Sequence, residues 1–385
     1  MTVSPPRALA PELSLYVHVP WCIQKCPYCD FNSHKLSGAI PEQAYISRLL
    51  DDLNSDLEWV QGREISSIFI GGGTPSVLSA TAIERLLEGI QRRLKLTTEC
   101  EITLEANPGT FETEKFAAFV SAGVTRLSIG VQSLQQQQLT ALGRIHNPHQ
   151  ARQAASHARQ LPLKSFNLDL MHGLPGQTVQ NALTDLQQII DLQPPHISWY
   201  QLTIEPNTLF ASAPPELPDD DVLWDIYQAG HELLQQAGYH QYEVSAYAKP
   251  GHQSLHNRNY WRYGDYLGIG CGAHSKITMA SANRIIRCEK IKHPQGYLDL
   301  TRELRYQLTE VSPQDRYFEF FMNHLRLLEP ISKQRFEATT QLSAVSASVK
   351  LQSAISQGWL TEDTGYWYLT ASGHRFLNTV LETLL

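Results

Sequence analysis

The chain has 385 residues, 42% hydrophobic and 18% charged, and its 31 Lys and Arg against 38 Asp and Glu leave a net charge of −7. That is a globular profile, long enough for two or three domains and a large core, and it excludes a disordered chain. No apolar run approaches the ~20 residues that span a bilayer, and residues 1–12 lack the charged and apolar blocks of a signal peptide. A mildly acidic chain also has little general attraction for nucleic acid or anionic lipid. The expectation is a cytoplasmic enzyme or cofactor handler with no nucleic-acid partner and no intrinsic membrane anchor.

Residues 1–13, with Pro5, Pro6 and Pro11, read as a flexible lead-in. From 14 to about 205, apolar runs at 15–19, 67–70, 101–105, 126–130, 165–170 and 196–202 alternate with helical patterns. In the clearest of these, Ile46, Leu49, Leu50, Leu53 and Leu57 recur at helical spacing; others cover about 80–94, 111–121, 148–160 and 178–191. Six strand–helix units predict an α/β fold with a parallel sheet. Six are too few for an eight-stranded barrel, so a partial, open (β/α)6 barrel is expected rather than a doubly wound sheet. In either architecture ligands gather at the C-terminal strand ends.

The run 135–138 reads as a solvated helix face without a role. Residues 206–220, rich in Pro, look like a boundary loop, and 206–300 read as an extension of the barrel that starts with a helix and a strand over 221–247. Residues 301–385 form a C-terminal, mostly helical, winged-helix-like domain. There Ser312-Pro313-Gln314-Asp315 combines an N-cap, Pro at the first helical position and an acidic partner, opening a helix to about 328. Two helices and a hairpin at 359–370 follow. Across 331–385, Lys333, Arg335, Lys350 and Arg375 balance Glu337, Glu362, Asp363 and Glu382. A DNA-reading wing should be basic, so this segment is expected to pack or to meet a partner.

Chemistry concentrates in the cysteines. Cys22, Cys26 and Cys29 follow the first strand at C-x3-C-x2-C spacing, whereas Cys100, Cys271 and Cys288 are scattered and read as small buried hydrophobes. In a reducing compartment clustered thiols bind metal or do chemistry rather than form disulfides. Three thiolates on one loop can hold three irons of a [4Fe–4S] cluster, leaving the fourth iron open to a substrate or cofactor. The alternative is a structural zinc completed by His34, although no second cysteine pair is present.

The loop, with its surrounding string YVHVPWCxxxCPYCDF, resembles the radical S-adenosylmethionine (SAM) superfamily, its coproporphyrinogen-oxidase-like branch and, within that, the HemW-type haem chaperones. The resemblance runs through nearly the whole chain, and it implies SAM on the open iron. Gly71-Gly72-Gly73-Thr74-Pro75 after the second strand is similar to the family's SAM-binding motif; read alone, it is a turn whose bare glycines allow close backbone approach. Tyr16 and His18 precede the cysteines and would cover the cluster, a plain strand role for His18 being the alternative. Glu105 ends strand three, where its other role would be an ion pair with Arg126 or Arg144. Gln132 ends strand four, Arg144 follows, and Asp169 lies in strand five. The resemblance makes Tyr16, Gly72, Gly73, Thr74, Glu105, Gln132, Arg144 and Asp169 SAM contacts.

Further on, His256-Asn257-Arg258-Asn259-Tyr260-Trp261 matches HNxxYW, a string associated with haem in the chaperones, and a histidine beside aromatic rings can ligate haem iron. Without the resemblance His256 reads as a locally bonded loop histidine. Gly268, Gly270 and Gly272 suggest close approach to a ligand such as SAM, Cys271 could instead be a haem thioether or thiolate, and His252 is the next candidate haem histidine after His256. Oxidases of the branch resemble C-x3-C-x2-C-x-C, but Phe31 stands at the added position, and only 15 residues precede Tyr16, too few for their N-terminal extension. With HNxxYW present, the expected function is a haem chaperone that delivers haem to apo-haemoproteins such as respiratory enzymes. Oxygen-independent coproporphyrinogen III oxidation is the alternative; another radical SAM reaction also stays open. A purely structural or winged-helix regulatory protein would leave the cysteine loop and GGGTP unexplained.

Overall fold

In the computed structural model, residues 10–109 and 113–384 are described. The six expected strands form as β1 (Leu13–Val19), β2 (Ile65–Gly72), β3 (Leu96–Ala106), β4 (Arg126–Gln132), β5 (Ser165–His172) and β6 (His196–Gln201). Each pairs in parallel with the next. β1 is buried at six of its seven positions and β4 along its whole length, which is how strands covered on both faces read. Helices α1 (Glu42–Asp56), α2 (Ala80–Gln91), α3 (Phe116–Ser121), α4 (Pro148–Gln160) and α5 (Val179–Asp191) lie between successive strands. Of the helix expected over 111–121, residues 111 and 112 fall outside the described residues. Asn147 and Thr178 start α4 and α5 with capping boxes, each worth about 1 kcal/mol.

Strand order decides between the two architectures. β1 to β6 are neighbours in sequence order, with no reversal at which a doubly wound sheet would switch faces. Crossovers of one hand then put all helices on one face and leave the other to line an interior.

The sheet is larger than the six expected strands. β7 (His240–Glu243) and β8 (Ala246–Ala248) add to β6 as an antiparallel edge. On the far side β9 (Asp265–Gly270) runs parallel to β1, followed antiparallel by β10 (His274–Met279), β11 (Arg284–Lys290) and β12 (Arg305–Glu310). The result is an open twelve-stranded sheet, β12-β11-β10-β9-β1-β2-β3-β4-β5-β6-β8-β7. β1 starts at Leu13, two residues before the expected strand, and buried Pro11 accepts a hydrogen bond from Arg63, so the last of the lead-in is packed. Gln138, assigned to a solvated face, is buried and donates to the Pro175 carbonyl.

Helix α6 (Asp220–Gln236) follows the Pro-rich loop, and the seven-residue α7 (Leu255–Trp261) packs against β1 and β2. Ser312 caps α8 (Pro313–His324) as its sequence specifies. The C-terminal helices and a small sheet, in which Ile331–Ser332 joins the hairpin of Leu360–Glu362 and Tyr366–Leu369, enclose a second core around Phe320, Phe321, Phe336 and Trp367. Among the described residues no helix is long and apolar enough to cross a membrane.

Candidate functional site

A cavity of about 520 Å³ opens at the C-terminal ends of the parallel strands, and Cys22, Cys26 and Cys29 form one wall of it. The cysteine loop is closed at its base by a two-residue ladder between Trp21–Cys22 and His34–Lys35. Inside it, the Cys29 N–H bonds the Cys26 carbonyl at 3.2 Å and Lys25 donates to the carbonyls of Phe31 and Ser33. Burial pushes the Cys22 and Cys29 thiols up, so the loop by itself carries protons that bound iron must displace. His34 does not join the thiols: its Nε2 faces the Asn32 side-chain oxygen and the Lys292 carbonyl.

Gly72, which ends β2, and Gly73 and Thr74, which follow it, line the same cavity, and the Thr74 N–H donates to the Trp21 carbonyl beside Cys22. A Cβ on Gly73 would stand 2.6 Å from the Trp21 carbonyl oxygen, and one on Gly72, at φ +115°, 2.6 Å from the His18 ring. Only bare backbone fits between the cysteine loop and the strand. The Gly72 N–H donates to Glu105 at 3.0 Å. Burial, then the nearby Asp169 carboxyl, pushes Glu105 up to about 8. Neither candidate ion pair forms, because Arg126 faces Glu101 at 4.0 Å and Arg144 bonds Asn107 and the Gly130 carbonyl.

Gln132, Arg144 and Asp169 complete the cavity wall. Gln132 has φ +69° beside a register shift in β4, a strained backbone that aims its side chain at Tyr200, whose hydroxyl donates to it at 2.7 Å. Asp169 is pushed up by burial, against hydrogen bonds from Asn167, Ser198 and Ser128. Sequence reasoning missed Asn107, which links Thr74 to Arg144, and Tyr200. Both sit at strand ends, a signal applied to strands two to five but not extended to Tyr200 on the sixth.

Tyr16 and His256 lie apart from this wall, inside the barrel. The Tyr16 hydroxyl meets His18 Nδ1 at 2.9 Å, and its ring is 6.4 Å from that of His256. Ser254 caps α7, and Glu101 accepts from the Ser254 hydroxyl and the Leu255 and His256 N–H groups. His256 stacks 4.8 Å from Phe69 while its Nδ1 meets the Ser67 hydroxyl at 3.3 Å. Burial, aided by Arg126, pushes it down to about 3, so the imidazole is neutral. Gly268, Gly270 and Gly272 approach protein atoms rather than the cavity: His274, His18 and Asn32 respectively. Cys100, Cys271 and Cys288 are buried, and the Cys271 thiol donates to the Lys292 carbonyl.

The donor set fits an iron–sulfur cluster with a chelated ligand: three thiols on one loop, a glycine cradle lining the same cavity, and an Arg144 Nε shut off from solvent with no acceptor. The Radical SAM superfamily matches residues 16–189 and the HemN C-terminal domain residues 311–376. Fold and loop therefore define a radical SAM protein. Over 375 residues, 97% of this chain and 98% of the relative, it is 56% identical to the heme chaperone HemW of Escherichia coli K12. Identity to the Haemophilus influenzae heme chaperone HemW is also 56%, over 379 residues that cover 97% of this chain and 98% of that protein. The E. coli coproporphyrinogen III oxidase HemN, a radical SAM enzyme, superposes with a TM-score of 0.82 at 22% identity, covering 98% of this chain and 91% of that one, a likeness of fold. The chain belongs to the HemW family.

Proposed function

We propose that this chain is a haem chaperone: it binds haem and passes it to apo-haemoproteins, respiratory enzymes among them, while carrying a [4Fe–4S] cluster with SAM in the barrel mouth. The working compartment on this reading is the cytoplasm. What carries the reading is His256. Its ring is neutral, Ser67 holds Nδ1, and among the described residues Nε2 makes no hydrogen bond, leaving a nitrogen of the kind that ligates haem iron. The full-length likeness to proteins named heme chaperones supports it.

In the mouth, Cys22, Cys26 and Cys29 would hold the cluster, which when bound supplies an open iron for SAM and a route for electrons. Gly72 and Gly73 let SAM approach the backbone. Glu105, pushed up to about 8, and Asp169, also pushed up by burial, can each accept a hydrogen bond once ionised, which suits an ammonium or ribose group. Thr74, Gln132 and Arg144 offer further polar contacts, and Tyr16 supports the site through its hydroxyl contact with His18.

Anaerobic reconstitution with iron and sulfide, followed by hemin titration, tests this. Stoichiometric haem binding is expected, lost in His256→Ala at unchanged iron and sulfide; full retention of haem in that variant would move the site. Separate incubation with coproporphyrinogen III, SAM and dithionite should yield no protoporphyrinogen; its appearance would establish the oxidase instead.

A further inference from the structure

Arg144 reaches a cysteine 118 residues away, and the contact is built rather than incidental. Its Nη1 lies 3.5 Å from Cys26 Sγ, while Nη2 is fixed by the Asn107 side-chain oxygen at 2.6 Å and the Gly130 carbonyl at 2.8 Å. Gly130 makes room for the guanidinium, since a Cβ there would stand 3.3 Å from Nη2. The preceding residue is tied to the cysteine loop as well: Gln24 donates to the Gly143 carbonyl at 3.1 Å, and Gly143 at φ +65° packs against Pro27. Among the described residues no carboxylate forms a salt bridge with Arg144, so its charge is directed at sulfur.

We propose that Arg144 sets the reduction potential of the cluster through its N–H···S bond to Cys26. This rests on the cluster assignment above. A fixed cation donating to a ligand sulfur draws electron density from it, and the gain is larger for the reduced cluster, which carries one more negative charge. In an enclosed site this interaction is weakly screened. Arg144 is thus a positioning residue that makes one-electron reduction easier. The step is a single electron entering from an external low-potential one-electron donor; no bond forms or breaks and no proton moves.

The test compares wild type, Arg144→Lys and Arg144→Met, each reconstituted anaerobically without SAM and matched for iron and sulfide. Dithionite titration followed by EPR reads the midpoint potential. Arg144→Met should titrate at a clearly more negative potential, and Arg144→Lys, which keeps the charge but not the fork, should fall between. Equal midpoints for all three would overturn the proposal. Pulsed EPR on reduced wild type carrying 15N-arginine needs no variant: a 15N coupling to the cluster is expected, and its absence also overturns the proposal. A wild type that assembles no cluster would instead sink the cofactor reading beneath it.

Discussion

The side-chain amide of Asn32 donates to the carbonyl of Cys271 at 3.0 Å, fastening the cysteine loop to a segment 239 residues away. The same amide donates to the Lys292 carbonyl, and the Asn32 carbonyl faces His18 Nε2 at 2.8 Å. Asn32→Ala should therefore loosen the loop without removing a thiol. We expect about 1–2 kcal/mol lost in urea unfolding and a several-fold faster loss of iron to a chelator.

Gly72→Ala tests the cradle. The new methyl meets the His18 ring at a φ that disfavours any side chain, costing about 1–3 kcal/mol. Equilibrium dialysis should show SAM binding strongly weakened. Binding at the wild-type level would show that the backbone at Gly72 does not need to lie so close.

Glu105 predicts a pH dependence. Its folded value of about 8 lies above the ~4.3 of an exposed glutamic acid. Between these values the native state holds a proton that the unfolded chain has released, so stability contributed by protonated Glu105 is full below ~4.3 and drains as pH rises toward 8. Glu105→Gln should flatten that limb by on the order of 2 kcal/mol, read from urea midpoints at about pH 5 and about pH 8.

Asp265 holds Lys276 at 3.0 Å and Arg63 at 2.7 Å, with the Asp265 and Lys276 side chains shut away from solvent. Asp265→Asn leaves a buried ammonium without its counter-charge, a change worth about 3–5 kcal/mol. Because Asp265 opens β9, the loss should show first as faster amide exchange where β9 meets β1.

Much of this molecule was legible from its sequence because the signals are local. Apolar runs alternating with helical patterns set β1 to β6, Asn147, Thr178 and Ser312 announced their helices by capping chemistry, and three cysteines within eight residues marked the loop that walls the cavity. The side chains at the ends of strands two to five were legible for the same reason, since strand direction alone puts them at one mouth. What only the tertiary structure decided depends on which distant backbones pair. Gly268, Gly270 and Gly272 suggest close approach to a ligand, yet Gly268 and Gly270 lie in a strand beside β1 and all three clear the way for neighbouring chain. Arg144 meets Cys26, Asn107 meets Thr74, and His256 turns inward against Phe69 because the sheet brings them together; no spacing within the chain encodes those distances. Propensity and turn chemistry act over a few residues, whereas these contacts are set by how the assembled sheet buries its apolar faces and satisfies its polar groups.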